Sequence, residues 1–177
     1  MDKVPTLLAS MLLLCTMGWT ARATNLPMRR PGLWELSTQV VGGRPRPARQ
    51  ERICLDSATS ELLFKVAQTG GKGICSRTEL TRRGNQTIAD SVCRMGSTNL
   101  TAHTVFTVSG DTQYREDTQV RYDPPLFHVT AASHHTTEGR WIGPCPADMQ
   151  PGDAVTVPNA EMPVAMHMNL KKMLGSQ

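Results

Sequence analysis

The sequence has few aromatic residues and no dense cluster of charge of one sign. Aromatic side chains make up 5% of the 177 residues, and the formal net charge is +4. Nucleic-acid-binding surfaces use stacking rings or concentrated basic patches, so this composition argues against a nucleic-acid partner. The tightest basic cluster, Arg44, Arg46 and Arg49, is interleaved with Pro45 and Pro47, which is typical of a solvated loop.

The common catalytic and nucleotide-binding motifs are missing as well. The chain contains no Gly-x-Ser-x-Gly, P-loop or dinucleotide fingerprint. No two cysteines have the Cys-x-x-Cys spacing of a zinc ribbon or a thioredoxin-like site. Because nothing in the sequence indicates a reaction, we expect a protein that is not an enzyme and that has no cofactor.

The N-terminus carries the features of a secretory signal peptide. An apolar run over residues 7–19 follows Lys3 and precedes Ala21-Arg22-Ala23, a small-x-small cleavage pattern. The run is too short for a stable membrane span. We therefore expect cleavage near Ala23, a periplasmic or secreted product, and no membrane span after cleavage.

Four cysteines remain after the leader, and an even number in an exported chain indicates disulfides. The segment between Cys75 and Cys93 has the pattern of a hairpin that turns at Gly84. Pairing centred on Gly84 places these two cysteines opposite each other, at a Cβ separation of roughly 4.5–5.5 Å. The two remaining cysteines, Cys54 and Cys145, would then form the second disulfide. A catalytic Cys145 would have to stay reduced in an oxidising compartment, so a structural disulfide is the favoured interpretation.

Alternation of apolar and polar residues predicts strands along most of the chain. Residues 99–109 have apolar side chains at four of their five even-numbered positions, and residues 112–122 have polar side chains at every odd number. If both strands turn their even-numbered side chains to the inner face, even-numbered residues must lie opposite even-numbered residues. The loop between the strands must then contain an odd number of residues. Further on, Phe127 and Trp141 share the inner parity of one long strand or bent pair.

One convincing helix precedes the tail, over residues 57–68, with Asp56 or Ser57 as its cap. We predict a mainly β fold of about seven to eight strands with one short helix. The strands would form a single antiparallel curved sheet, or a partly closed meander or barrel. The predicted organisation is a signal peptide at 1–23, a β-rich domain at 24–150 and a Pro/Met-rich tail at 151–177. The tail is expected to end weakly ordered, or helical over residues 164–174.

Four segments occur in an order that resembles a known family. They are "RRPGLWELSTQV", "ICLDSAT", "VSGDTQYRED" and "GRWIGPCP". Together they resemble the DUF3617 family of exported bacterial proteins over roughly residues 30–148. The resemblance implies an envelope location and a small β-rich domain. It implies no activity and supplies no catalytic residues.

The inner face combines aromatic and ionisable side chains. A carboxylate and an imidazole in an apolar concavity would suit a ligand pocket or an acid/base pair. In the alternative interpretation, Glu116 lies at the edge of the inner face with its carboxylate in solvent, and His135 lies in a bend where the alternation of side chains has shifted. We predict a ligand cavity lined by Phe106, Tyr114, Glu116, Tyr122, His135 and Trp141.

Two groups of residues raise the question of a metal. His134 and His135 are adjacent, so in a strand they point to opposite faces and cannot easily share one ion. The tail offers softer ligands that could bind copper, although a Met-rich helix edge packed on the sheet would have the same composition. The tail residues concerned are Met162, Met166, His167 and Met168.

The leading hypothesis is thus a periplasmic, non-catalytic domain that binds a small apolar ligand or an envelope partner through its curved sheet. The alternatives are a copper-handling protein that uses the tail and, third, an uncharacterised enzyme. We expect a monomer or a weak dimer.

Overall fold

The computed structural model describes residues 29–42, 46–69, 73–127 and 130–175. The predicted signal peptide lies outside these ranges. The described residues form nine strands and two helices: β1 Gly32–Val40, β2 Arg49–Leu55, α1 Ser57–Thr69, β3 Cys75–Arg83, β4 Gln86–Met95, β5 Thr98–Ser109, β6 Gln113–Leu126, β7 Thr130–Gly143, β8 Asp153–Thr156, β9 His167–Asn169 and α2 Leu170–Gly175.

All nine strands belong to one antiparallel sheet, in the order β3-β4-β5-β6-β7-β1-β2-β8-β9. The first and last strands of this order do not pair, so the sheet is open. The prediction of a mainly β fold with a single antiparallel sheet is confirmed. The sheet is larger than the predicted seven to eight strands, because the tail contributes β8 and β9.

The core lies on one side of the sheet, which we call the inner face; the opposite side is the outer face. Trp34 of β1, Ile53 of β2 and Tyr114 of β6 are buried on the inner face, and Leu55 and Ala154 complete the buried cluster. Partly buried side chains surround this cluster on the sheet and on both helices: Leu36, Leu63, Phe106, Val108, Trp141, Met168 and Leu170.

The β3–β4 hairpin differs from the prediction in its register. Arg83 pairs with Gln86, so a two-residue turn replaces pairing centred on Gly84. That register alone would leave the two cysteines one residue out of step. An irregularity between Cys75 and Arg77 brings Cys75 opposite Cys93. The predicted cysteine pairing is therefore correct, but it depends on a bulge that adds one residue to β3.

The β5–β6 hairpin follows the prediction. Ser109 pairs with Gln113, which leaves a three-residue loop whose Gly110 has a φ of +63°. Every even-numbered residue of β5 faces an even-numbered residue of β6. This parity places Phe106 and Val108 beside Tyr114 on the inner face.

The alternation of inner-face and outer-face side chains is interrupted near the turn between β6 and β7. Phe127 is 81% exposed and has a φ of +51°, so its predicted inner-face position is wrong. Regular pairing between β6 and β7 is interrupted between Arg121 and Leu126, the stretch that contains Pro124 and Pro125. Proline cannot donate a ladder hydrogen bond, and the interruption uncouples Phe127 from the alternation established earlier in β6.

Two glycines allow close approaches at the centre of the sheet. Gly139 lies directly across from Tyr114, and a Cβ on Gly139 would come within 2.1 Å of the tyrosine ring. A Cβ on Gly32 would come within 2.4 Å of the Gly143 carbonyl oxygen and of Trp141 Nε1. Gly32 is thus required by the packing of β1 against β7, and Gly139 by the packing of β7 against Tyr114 of β6.

The start of α1 and the tail meet at Asp56. Its Oδ1 accepts hydrogen bonds from the Thr59 backbone N–H at 2.7 Å and from the Thr59 hydroxyl at 2.6 Å, which identifies Asp56 as the helix cap. Its Oδ2 accepts a hydrogen bond from Lys171 Nζ of α2 at 2.8 Å. Partial burial raises the pKa of Asp56, but the hydrogen bonds from Lys171 and Thr59 outweigh burial and lower the pKa to about 2.

We expect an acid-dependent loss of stability that originates at this carboxylate. Between pH 3.8 and about 2 the unfolded chain protonates Asp56 while the folded chain does not, so stability falls as pH falls through that window. The change Lys171→Met, which removes the charged partner, should make this fall shallower when urea unfolding is measured at a series of pH values. Asp153, whose pKa is lowered by its hydrogen bond from Asn169, titrates in both proteins and cancels in the comparison. Identical pH slopes would contradict the assignment.

Candidate functional site

The inner-face site begins with a row of packed aromatic rings. Tyr114 lies between Trp34 and Phe106, with ring centroids 5.7 Å and 4.8 Å away. Burial of Tyr114 raises the pKa of its hydroxyl to about 12. Tyr114 thus serves as part of the core, while Phe106 and Trp141 keep part of their surface accessible at the margin of the core.

The two arginines that precede β1 lie over these rings, an arrangement that sequence periodicity did not predict. The Arg29 guanidinium carbon is 4.8 Å from the Tyr114 ring centroid and 5.5 Å from that of Phe106. Arg30 lies 5.1 Å from the Trp141 ring and forms two 3.0 Å hydrogen bonds with Asp111. Cationic side chains over aromatic faces are favourable contacts. The adjacency of two arginines to a tryptophan-containing strand was the one available signal.

A polar band crosses the inner face next to the aromatic row. Thr104 and Thr118 share a hydrogen bond of 3.0 Å between their hydroxyls, and the Thr118 hydroxyl donates to Glu116 Oε1 at 3.1 Å. Thr38 and Thr137 are similarly bonded at 2.9 Å. These side chains are only partly buried. The band therefore offers hydroxyl and carboxylate groups beside an apolar surface.

Glu116 and His135, two residues of the predicted ligand cavity, lie on this band, and no hydrogen bond joins them to each other. Glu116 pairs across the ladder with Thr137, and His135 pairs with Thr118, so the two residues are diagonal neighbours on β6 and β7. Tyr122, further along β6, bonds its hydroxyl to Ser133 at 3.0 Å. All six residues of the predicted cavity thus lie on one face, and their role as a ligand site stays a prediction.

The tail residues proposed as copper ligands do not all face one point. Met168 is part of β9 and packs against the core, whereas its neighbour His167 is exposed and points to the opposite side of that strand. Met166 is 44% exposed, and the Met162 backbone N–H is bonded to Asn159. Packing against the sheet accounts for Met168, and the copper hypothesis itself stays untested. Among the described residues there is no group of three or more His, Cys, Asp or Glu side chains that could hold a metal ion.

Both predicted disulfides are present. Cys54 is bonded to Cys145 across 91 residues of sequence, and Cys75 to Cys93 across 18. Cys54 is fully buried in β2, and Cys145 follows the end of β7. The first bridge ties the strand before α1 to the turn after the last long strand, so Cys145 has a structural role.

The outer face is dominated by ion pairs between neighbouring strands. Arg140 contacts Glu35 at 2.6 Å, and Arg115 contacts Glu138 at the same distance. Two histidine–aspartate pairs lie on the same face, His103 with Asp90 at 2.7 Å and His134 with Asp117 at 2.9 Å. A groove of about 280 Å³ also opens on this face over β3 to β6.

A comparison with protein families decides the membership of the chain. The model described as "Protein of unknown function (DUF3617)" matches residues 29–145. The chain belongs to the DUF3617 family. No curated protein and no solved structure gives a significant match. The DUF3617 match starts at the arginine pair that lies over the aromatic rings and ends at Cys145, so it includes both disulfides. Strands β8 and β9 and helix α2 follow the matched region.

Proposed function

We propose that this DUF3617 protein is an exported domain that binds a small, largely apolar ligand against the inner face of its sheet. The observation that carries the proposal is incomplete coverage of apolar surface. Leu36, Phe106 and Val108 pack against the core but remain partly accessible on the inner face. A folded sheet normally buries such a face against another layer.

The dimensions of the covering helix support this proposal. The 13 residues of α1 make a helix about 20 Å long and about 10 Å wide. Nine strands at a spacing of about 4.8 Å make a sheet about 38 Å across. Among the described residues, α1 is the longer of the two helices and cannot cover the whole inner face. An apolar ligand that buried the remaining surface would gain about 25 cal/mol of binding free energy per Å² of apolar area removed from water.

The polar band determines which ligand would fit. Glu116, with its hydrogen bond from Thr118, can accept further hydrogen bonds, and the paired threonine hydroxyls can both donate and accept. The apolar part of the ligand would lie on Phe106 and Val108, and a hydrogen-bonding end group would reach Glu116 and His135. This pairing of an apolar wall with a few polar groups is usual for small-molecule sites.

Export is part of the same proposal. No described helix is long and apolar enough to cross a membrane. The two disulfides are compatible with an oxidising compartment. The sequence pattern of residues 1–23 is what supports export with cleavage near Ala23.

Native mass spectrometry of the purified protein tests the proposal directly. We expect a lipid-sized adduct on a protein whose mass lacks residues 1–23. The change Ala89→Trp places a large ring on the inner face, in the ladder row of Thr104, Thr118 and His135, and should reduce the adduct at least about ten-fold.

The matched control is Ala132→Trp, the same change at an exposed position of β7 on the outer face. The adduct should survive in this variant. If wild type carries no adduct, or if both variants lose it equally while remaining folded, the inner-face proposal is wrong. A stoichiometric protein partner captured in place of a small molecule would favour the envelope-partner hypothesis.

A further inference from the structure

The outer-face groove is built from two neighbouring ladder rows of β3, β4, β5 and β6. In the first row Arg77 pairs with Val92, Val92 with Thr101, and Thr101 with Arg121. The two middle residues have short side chains and the two outer residues have long ones. Because the side chains of one ladder row project to the same face, the arginines form walls on either side of a floor of Val92 and Thr101.

The separation of these walls suits a small group held between them. Arg77 and Arg121 are three strand spacings apart, which corresponds to about 14 Å between their Cα atoms. The groove between them has a volume of about 280 Å³. Val92 is 40% exposed, so the floor keeps an accessible apolar strip beside the Thr101 hydroxyl.

The second row supplies the polar end of the groove. Asp90 pairs with His103, and His103 pairs with Gln119. The only carboxylate that lines the groove among the described residues, that of Asp90, is bonded to His103 Nδ1 at 2.7 Å. Arg77 is paired with Glu79 at 2.7 Å, whereas Arg121 forms no ion pair with any described residue. Among the described residues, the groove thus presents the Arg121 guanidinium without an ion-pair partner, the Arg77 guanidinium paired with Glu79, the Asp90–His103 pair and the Gln119 amide.

We propose that this groove binds the phosphate group of a small molecule or lipid head group, independently of the inner-face ligand. Guanidinium groups bind oxyanions through pairs of charge-assisted hydrogen bonds. A tetrahedral phosphate presents oxygens in several directions and can bridge two opposed arginines while accepting from Thr101 or Gln119. A planar carboxylate engages one arginine fork at a time and fits this opposed arrangement less well.

The proposal is tested by titrating ¹⁵N-labelled purified protein with inorganic phosphate and with glycerol phosphate, and by flotation with vesicles of phosphatidylglycerol or phosphatidylcholine. We expect amide shifts at Val92 and Thr101 with a phosphate ligand. Binding of the soluble phosphates identifies a soluble source. Flotation that requires phosphatidylglycerol, and that is sensitive to the groove variants below, identifies a lipid head group as the source.

Three variants separate a built site from general charge attraction. Arg121→Gln should weaken phosphate binding at least about ten-fold, because it removes charge-assisted hydrogen bonds from the site. Val92→Glu, at an exposed position, places a carboxylate on the floor and should abolish binding. Arg115→Gln removes a positive charge from the same face of β6 outside the groove and should change affinity less than about two-fold.

Thermal unfolding of each variant confirms that it is folded before binding is compared. Absence of phosphate-dependent shifts together with absence of selective flotation overturns the proposal. Equal weakening by Arg121→Gln and Arg115→Gln also overturns it, since the attraction would then come from overall charge. The inner-face adduct should be unaffected by Arg121→Gln, so the two proposals fail separately.

Discussion

We expect replacement of both Cys54 and Cys145 by alanine to lower the free energy of unfolding by about 4–5 kcal/mol. In the chain-entropy description, a disulfide stabilises by restricting the unfolded chain, and the effect grows with the length of the loop that it closes. The residues of this bridge are separated by 91 positions. Cys54 is also fully buried among core residues of β2, so its neighbours have little room to rearrange.

The second disulfide provides the matched comparison. Cys75 and Cys93 are 18 positions apart, which corresponds to about 3 kcal/mol on the same scale. Denaturant unfolding of the two double alanine variants should therefore rank the Cys54–Cys145 variant as the less stable. Intact mass with thiol blocking verifies that the remaining bridge is formed in each. A reversed ranking would show that loop length does not govern the contribution of these bridges.

We expect the change Trp34→Ala to lower the free energy of unfolding by about 3–5 kcal/mol, the range observed for loss of a large buried aromatic side chain. Trp34 is 1% exposed and packs beside Tyr114, and its indole N–H donates to the Arg30 carbonyl at 2.9 Å. Its strand, β1, lies in the interior of the sheet and pairs with both β2 and β7. The cavity left behind would be enclosed on these sides.

Trp141→Ala is the control, since Trp141 faces Trp34 across the β1–β7 ladder and also donates its indole N–H to a backbone carbonyl, that of Pro31. Trp141 is only partly buried, so the same substitution should cost less. Urea unfolding followed by far-ultraviolet circular dichroism measures both variants without relying on tryptophan emission. Equal losses of stability would mean that Trp34 contributes no more than its partly buried neighbour Trp141.

Much of the sheet was predictable because its long strands obey the period-two rule. The even-numbered side chains of β5 and β6 share one face in the sequence pattern and in the structure. The bulge at Cys75 was not predictable from this rule, because an added residue leaves the alternation on either side locally intact. Phe127 was misplaced for a related reason: parity cannot be carried past an interruption of the ladder.

The tail strands were missed because periodicity needs more residues than they have. Strand β8 has four residues and β9 has three. They are held by pairing with β2 and with each other, and by backbone bonds such as Gly152 N–H to the Cys54 carbonyl at 2.8 Å. Such contacts depend on which edge of the sheet is free, and the local sequence of the tail does not contain that information.

One of the two candidate sites could be predicted from the alternation within single strands, and the other could not. Parity alone assigns Phe106, Glu116 and His135 to one face, which is why the inner-face set could be proposed from the sequence. The groove between Arg77 and Arg121 depends on the lateral register of four strands. No single strand of the groove carries a distinctive pattern, so only the assembled ladder reveals it.

The position of β1 has a consequence for how the molecule is assembled as the chain emerges. Strands β3 to β6 are consecutive neighbours and can pair as soon as each is made. Strand β1 is synthesised first, yet one of its two partners is β7. Leu33 of β1 pairs with Gly143, which is synthesised 110 positions later. Its other partner, β2, acquires its second neighbour only when β8 arrives. The seam that contains the core is therefore completed late, and contacts so distant in sequence slow folding. If the chain is exported N-terminus first, as proposed, the strand that carries the buried Trp34 would lack one of its two partners until most of the chain has crossed the membrane.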